Sequence, residues 1–148
     1  MRTGSIAKAL VVDGDGKVLV LTIGEHTKYP QLSYAYDLPG GIIEQGETPY
    51  DGIIREVTEE TGIDCTQAEI HELYTSTELF SEYGYELTRS LYLIRLAETV
   101  EVTLSYEHEA YKWTLPDELW QVDFTGMYFD GFIEHAFYKI RLERLLDA

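Results

Sequence analysis

Between Ile53 and Ile63 the chain reads IIREVTEETGI, which places three carboxylates, Glu56, Glu59 and Glu60, within five positions and only Arg55 among them as a cation. On a helix, like charges three or four residues apart repel at a cost of about 0.2–0.5 kcal/mol per pair, and surface helices usually offset such acids with Lys or Arg at the same spacing. Here Glu56 stands three positions from Glu59 and four from Glu60, while Arg55 falls on a neighbouring face. A solvated surface is the ordinary reading of an acidic helical face. A divalent cation explains the crowding better. Mg²⁺ and Mn²⁺ take hard oxygen ligands and keep positions open for water and substrate phosphates. Gly52, one turn before Glu56, leaves the same face clear of side-chain bulk.

The helix that must carry these acids has clear limits. Thr48 is a favourable N-cap, Pro49 suits the first helical position, and Asp51 stands where the acidic member of a capping box belongs. Gly62 follows Thr61 as a left-handed C-cap glycine would, so the helix is expected over residues 49–61. At about 100° per residue, Tyr50, Ile53, Ile54 and Val57 form its apolar side and Gly52, Glu56, Glu59 and Glu60 the other. Upstream, residues 6–12 and 17–22 read as strands joined by the turn Asp13-Gly14-Asp15-Gly16, a hairpin expected at a sheet edge or in a meander. The Gly- and Pro-containing stretch from Gly24 to Glu47 reads as a long loop with a short strand within YAYDLP, and loops of that size often carry function. Downstream, residues 68–80 and 85–98 read as strands. Residues 131–146 space Ile133, Phe137 and Ile140 as a helix does.

Composition limits the partners. With 148 residues and 45% apolar content, the chain is expected to form one domain, residues 1–148, around a real core. Its net charge of −16, from 27 acidic against 11 basic residues, argues against a nucleic acid polymer, whose phosphates are held by Lys and Arg. A small anionic substrate remains compatible if a cation mediates. One cysteine, Cys65, leaves no intramolecular disulfide, and neither a signal peptide nor a membrane-spanning run is legible, so a cytoplasmic location without membrane contact is expected.

From Gly41 the spacing continues: Gly41, five residues, Glu47, seven residues, then Arg55-Glu56-Val57-x-Glu59-Glu60-x-Gly62-Ile63, with Val57 and Ile63 at the bulky aliphatic positions. This pattern matches the Nudix box throughout, and the chain resembles the Nudix hydrolases of MutT-like type. The resemblance implies an α/β fold in which a mixed sheet lies between the box helix and a C-terminal helix. It also implies metal-dependent cleavage of a pyrophosphate bond in a nucleoside diphosphate derivative, with Mg²⁺ as cofactor and Mn²⁺ able to substitute. Glu56, Glu59 and Glu60 match the family's metal-binding acids, with Glu59 and Glu60 the leading direct ligands and Glu56 either a ligand or the acid that orients water. Gly41 matches a glycine whose carbonyl completes the metal shell. Glu47 and Arg55 match a structural pair that folds the loop back on the helix.

The stretch EHEAYKW is similar to an EHxxYxW pattern of several Nudix branches, which makes Glu107 the expected further metal-site acid, with Glu109 next; the rival reading is that Glu107 is an ordinary loop acid and that His108, Tyr111 and Trp113 mainly pack. Asp117 and Glu118, after Pro116, read as first-turn acids of a short helix. That same pattern leans towards nucleoside or pterin triphosphates and dinucleoside polyphosphates. Among the few basic residues, Lys28 and Arg89 are candidates to hold a distal phosphate, and Tyr36 is one of several tyrosines that could stack on a base. Two rivals are a non-catalytic Nudix domain that senses a nucleotide, which retention of all box glutamates disfavours, and an isoprenoid diphosphate isomerase, which would need a catalytic cysteine. A monomer or homodimer is expected.

Overall fold

The computed structural model describes residues 2–124, 132–144 and 146. Seven strands, β1 Arg2–Val12, β2 Val18–Ile23, β3 Tyr36–Asp37, β4 Gly40–Ile42, β5 Glu69–Phe80, β6 Tyr85–Arg95 and β7 His108–Thr114, form one mixed sheet. Helix α1 spans Pro49–Thr61, the short α2 Pro116–Leu119 and α3 Phe132–Glu143. Of the C-terminal helix expected over 131–146, Gly131 and Leu145 lie outside the described residues.

Alternation along the strands builds two cores. Leu10, Val12, Val18, Val20, Leu91 and Leu93 join Phe132, Ile133, Ala136, Phe137 and Ile140 of α3 on one face of the sheet. Their neighbours Ala7, Ala9, Val11, Leu19, Leu21, Tyr92 and Ile94 join Ile53, Val57 and Ile63 on the other. Because successive strand side chains point to opposite faces, apolar residues in unbroken runs dress both sides. The sheet is thus sandwiched between α1 and α3. Full burial of an aliphatic side chain contributes about 1.5–3 kcal/mol, so Ile53 and Val57 suffice to seat the apolar stripe of α1.

Helix α1 has the expected limits: Thr48 accepts a hydrogen bond from the Asp51 amide at 3.1 Å, and Gly62 adopts a left-handed φ of 70°. The first hairpin differs from expectation. β1 and β2 pair only at Val12–Val18 beside the turn; farther out β1 runs parallel to β6 along its whole length and takes β4 on its other side, while β2 pairs with β3 and β7. So β1 is central, not an edge. A strand apolar on both faces belongs inside a sheet, and ALVV at residues 9–12 is such a run. EHEAYKW, which is not among the expected strands, supplies β7 from His108 onward; most of that strand is exposed, so it lacks the apolar alternation that marks strands in sequence.

Candidate active site

A cavity of about 540 Å³ is lined by residues from both halves of the parted sheet: Lys8 of β1, Asp37 of β3, Gly40 and Gly41 of β4, and His108 of β7. Glu56 and Glu60 of α1 enter it from one side, and Tyr106 and Glu107, immediately before β7, stand exposed at its rim.

The floor is a buried polar chain drawn from five elements. Lys8 donates to the Gly40 carbonyl at 3.2 Å and pairs with Asp37 Oδ1 at 3.0 Å. Asp37 Oδ2 meets His108 Nε2 at 3.0 Å, and Glu60 Oε1 accepts the Gly40 N–H at 2.9 Å. His108 Nδ1 lies 3.4 Å from Glu60 Oε2, within ion-pair range, yet it has no hydrogen-bond partner of acceptable geometry. Burial pushes the Glu60 carboxyl up to about 7, with the Lys8 ammonium as the main opposing influence. Burial acts against the charge of Lys8 as well, but the Asp37 and Glu60 carboxylates outweigh it and raise its pKa. Asp37, also desolvated, is held below the usual carboxylate range by Lys8 and His108.

A second network hangs on the outer side of α1. Arg55 grips Glu47 with two arms, Nε to Oε2 at 2.8 Å and NH2 to Oε1 at 3.0 Å, and reaches Glu56 Oε1 at 3.0 Å, Glu59 Oε2 at 3.2 Å and the Ile42 carbonyl at 3.1 Å. The helical wheel sets Arg55 on a neighbouring face, but its long side chain crosses to the acids, so the repulsion expected around Glu56 and Glu59 is partly relieved. Arg55 pulls the Glu47 carboxyl down. Gly52 permits this arrangement: a Cβ there would stand 2.4 Å from Ile43 and 2.8 Å from Glu47 Oε1, so its bare surface serves the folded-back loop.

Of the acids expected to bind metal, Glu56, Glu60 and Glu107 reach the cavity, and so does Gly41. Gly41 is close to Glu56: a Cβ at Gly41 would lie 2.8 Å from the Glu56 carboxyl carbon. Glu59 does not line the cavity; its side chain is 59% exposed and turned to Arg55, because the fourth residue from Glu56 points away from the cavity when the first and fifth point into it. Glu47 and Arg55 brace the loop against α1 outside it. None of the residues nominated for substrate reaches the lining. Lys28 is exposed, its ammonium 5.4 Å from the Tyr29 ring, and Tyr36 is half exposed on β3. Arg89 is buried, paired with Glu78 and lying 5.4 Å from the Phe132 ring.

The sequence reading passed over Lys8 and Asp37, and gave His108 only a packing role, in the rival to the Glu107 expectation. Lys8 did leave a signal, a lone cation in the apolar run IAKALVV, where a central strand has no solvent for it. Asp37 left none beyond its place before Leu38-Pro39.

The donors fit a divalent cation. Glu56, Glu60 and Glu107 offer hard oxygens to one space, and burial has raised the Glu56 and Glu60 carboxyls, so a nearby positive charge would stabilise their ionised forms. Asp37, Glu60 and His108 also present donor atoms all within 4.8 Å of one another.

Comparison with known proteins bears on family and fold. The model of the NUDIX domain matches residues 2–130. A MutT-like protein of Streptomyces ambofaciens is 33% identical over 74% of this chain, which spans 62% of that relative's length. The asymmetrical bis(5'-nucleosyl)-tetraphosphatase of Caenorhabditis elegans is 32% identical over 80% of this chain and 90% of its own. The crystal structure of a MutT protein from Methanosarcina mazei Go1 superposes with a TM-score of 0.76 at 22% identity, over 97% of this chain and 96% of that one, a likeness of fold. With a complete box on α1, the expected sandwich and a family match over most of its length, the chain belongs to the NUDIX domain family.

Proposed function

We propose that this protein, acting as a single Nudix domain, is a divalent-metal-dependent hydrolase that cleaves a pyrophosphate bond in a nucleoside diphosphate derivative. The observation that carries the reading is the convergence of Glu56, Glu60 and Glu107 on one cavity of about 540 Å³, enough to receive a nucleotide-sized ligand. Mg²⁺, or Mn²⁺ in its place, would neutralise the bridging phosphates and activate a water. The rest falls to the chain. Glu56 and Glu60, with the Gly40–Gly41 backbone packed against them, would hold the cation together with Glu107 at the rim, whose carboxylate is placed to accept a proton from the attacking water. Glu59 contributes from the outer side through its contact with Arg55. Lys8 offsets the charge of Asp37 behind the cavity.

Among substrates, dinucleoside polyphosphates come first, supported by the likeness to the bis(5'-nucleosyl)-tetraphosphatase of Caenorhabditis elegans, ahead of nucleoside or pterin triphosphates. The isomerase rival loses support at Cys65, which is buried, outside the cavity lining, and carries a thiol pushed by burial up to about 11.

The test is product analysis after incubation with dinucleoside tetraphosphate and nucleoside triphosphates, with Mg²⁺ and with EDTA. The reading expects nucleotide products in Mg²⁺, none in EDTA, and recovery on adding Mg²⁺ back. Binding of these substrates without turnover in Mg²⁺ and Mn²⁺ would favour a sensor.

A further inference from the structure

The cation site has a donor that an all-carboxylate reading leaves out. His108 is buried to 3% side-chain exposure, and its two ring nitrogens meet different surroundings. Nε2 is committed to Asp37 Oδ2 at 3.0 Å, and Asp37 is in turn neutralised by Lys8 at 3.0 Å. An Nε2–H donated to that carboxylate leaves Nδ1 as a bare lone pair, since a neutral imidazole carries one proton. That lone pair faces Glu60 Oε2 across 3.4 Å without a hydrogen bond between them. A proton on either group or a cation between them would satisfy this buried pair, and a cation is the partner that fits the bare lone pair of a neutral ring facing an ionised carboxylate. Two donors bonded at about 2.1 Å to one divalent cation stand roughly 3.0 Å apart in octahedral and roughly 3.4 Å apart in tetrahedral coordination, so the observed separation lies at the upper end of that range. The carboxylate–histidine–cation order, with the carboxylate fixing the ring's tautomer and orientation, is the arrangement that ligating histidines commonly have.

We infer that His108 Nδ1 and Glu60 Oε2 together ligate a divalent cation, so that the site is of mixed nitrogen and oxygen type, with Asp37 and Lys8 positioning the imidazole. This rests on the metal-dependent reading above and deepens it. An imidazole donor suits Co²⁺ or Zn²⁺ best; Mn²⁺, though at home among oxygens, accepts it more readily than Mg²⁺ does. The protein therefore discriminates between these ions by more than its carboxylates alone would allow.

The probe is Mn²⁺, read by pulsed electron paramagnetic resonance on the full chain. Wild-type protein should show ¹⁴N modulation of the bound Mn²⁺ signal that changes to the ¹⁵N pattern when histidine alone is isotopically labelled, a result that needs no substitution. The coupling should persist in His26→Gln, which alters the other histidine lining the cavity, and vanish in His108→Gln. Mn²⁺ affinity in His108→Gln should fall roughly tenfold or more, and Mg²⁺ affinity less. Bound Mn²⁺ without histidine coupling in the wild type, or equal losses for both ions, overturns the inference while leaving metal dependence standing. Failure of the wild type to bind Mn²⁺ overturns both readings at once.

Discussion

Two ionic networks hang from α1 and have opposite character. Around Arg55 the groups are half-buried to exposed, local in sequence and rich in mutual pairing; around Glu60 they are buried, and Lys8, Asp37, Gly40, Glu60 and His108 come from five separate elements. An exposed ion pair contributes about 0–1 kcal/mol and tolerates rearrangement, whereas breaking a buried one leaves an uncompensated charge at a cost of about 3–5 kcal/mol. The Arg55 network therefore shapes a loop. The Glu60 network holds charge where water cannot, and a protein retains such an arrangement where the charge is used.

That contrast can be broken by substitution. The largest effect should come from Glu60→Gln, which keeps size but removes a buried cavity carboxylate; turnover should fall beyond roughly 100-fold, the upper end for groups that only support metal ligands. A kinetic assay in saturating Mg²⁺ checks it, and a loss under tenfold would place the chemistry elsewhere. Next are the two glycines of β4. Gly40→Ala forces a side chain onto a φ of 139° and to 2.1 Å from the Ala7 carbonyl oxygen, so it should destabilise the fold by at least about 1–3 kcal/mol in a denaturant titration. Gly41→Ala meets only the mobile end of Glu56, so stability should stay near wild type while turnover drops roughly tenfold. Adjacent glycines with unlike failures would sharpen the separation of fold from site.

Smaller losses belong to the outer network. Arg55→Lys keeps the charge but loses the fork that grips Glu47 at two points, and Glu47→Gln weakens the same grip, so each should lower activity by several-fold with little change in Mn²⁺ affinity. The double variant should be no worse than the poorer single, because the pair acts as one unit. Strictly additive losses, or metal binding lost in Glu47→Gln alone, would move Glu47 into the cation site. Glu59→Gln should have the smallest effect of the box acids.

The same contrast explains what the sequence revealed. Helix α1 was legible to its caps because Thr48, Pro49 and Gly62 act on the backbone within a turn of themselves. The Arg55–Glu47 grip was legible because it is written inside one motif of 23 residues, Gly41 to Ile63. The joining of Lys8, Asp37 and His108 was not, because the run IAKALVV shows that Lys8 is buried but nothing local says that β4 and β3 will cover it, and the parting of β1 from β2 is decided by which strands compete for their edges. Glu59 shows the limit from the other side. Helical phase alone grouped it with Glu56 and Glu60, and only the position of the sheet separates an inward carboxylate from one turned to solvent.

The most direct test of the account is a paired titration: Mn²⁺ binding to Glu60→Gln and to Glu59→Gln, measured under one set of conditions with native folding verified for each. The account predicts that Glu60→Gln loses roughly tenfold or more in affinity while Glu59→Gln stays within a few-fold of wild type. Equal losses, or a larger loss in Glu59→Gln, would contradict it and show that the exposed network holds the cation.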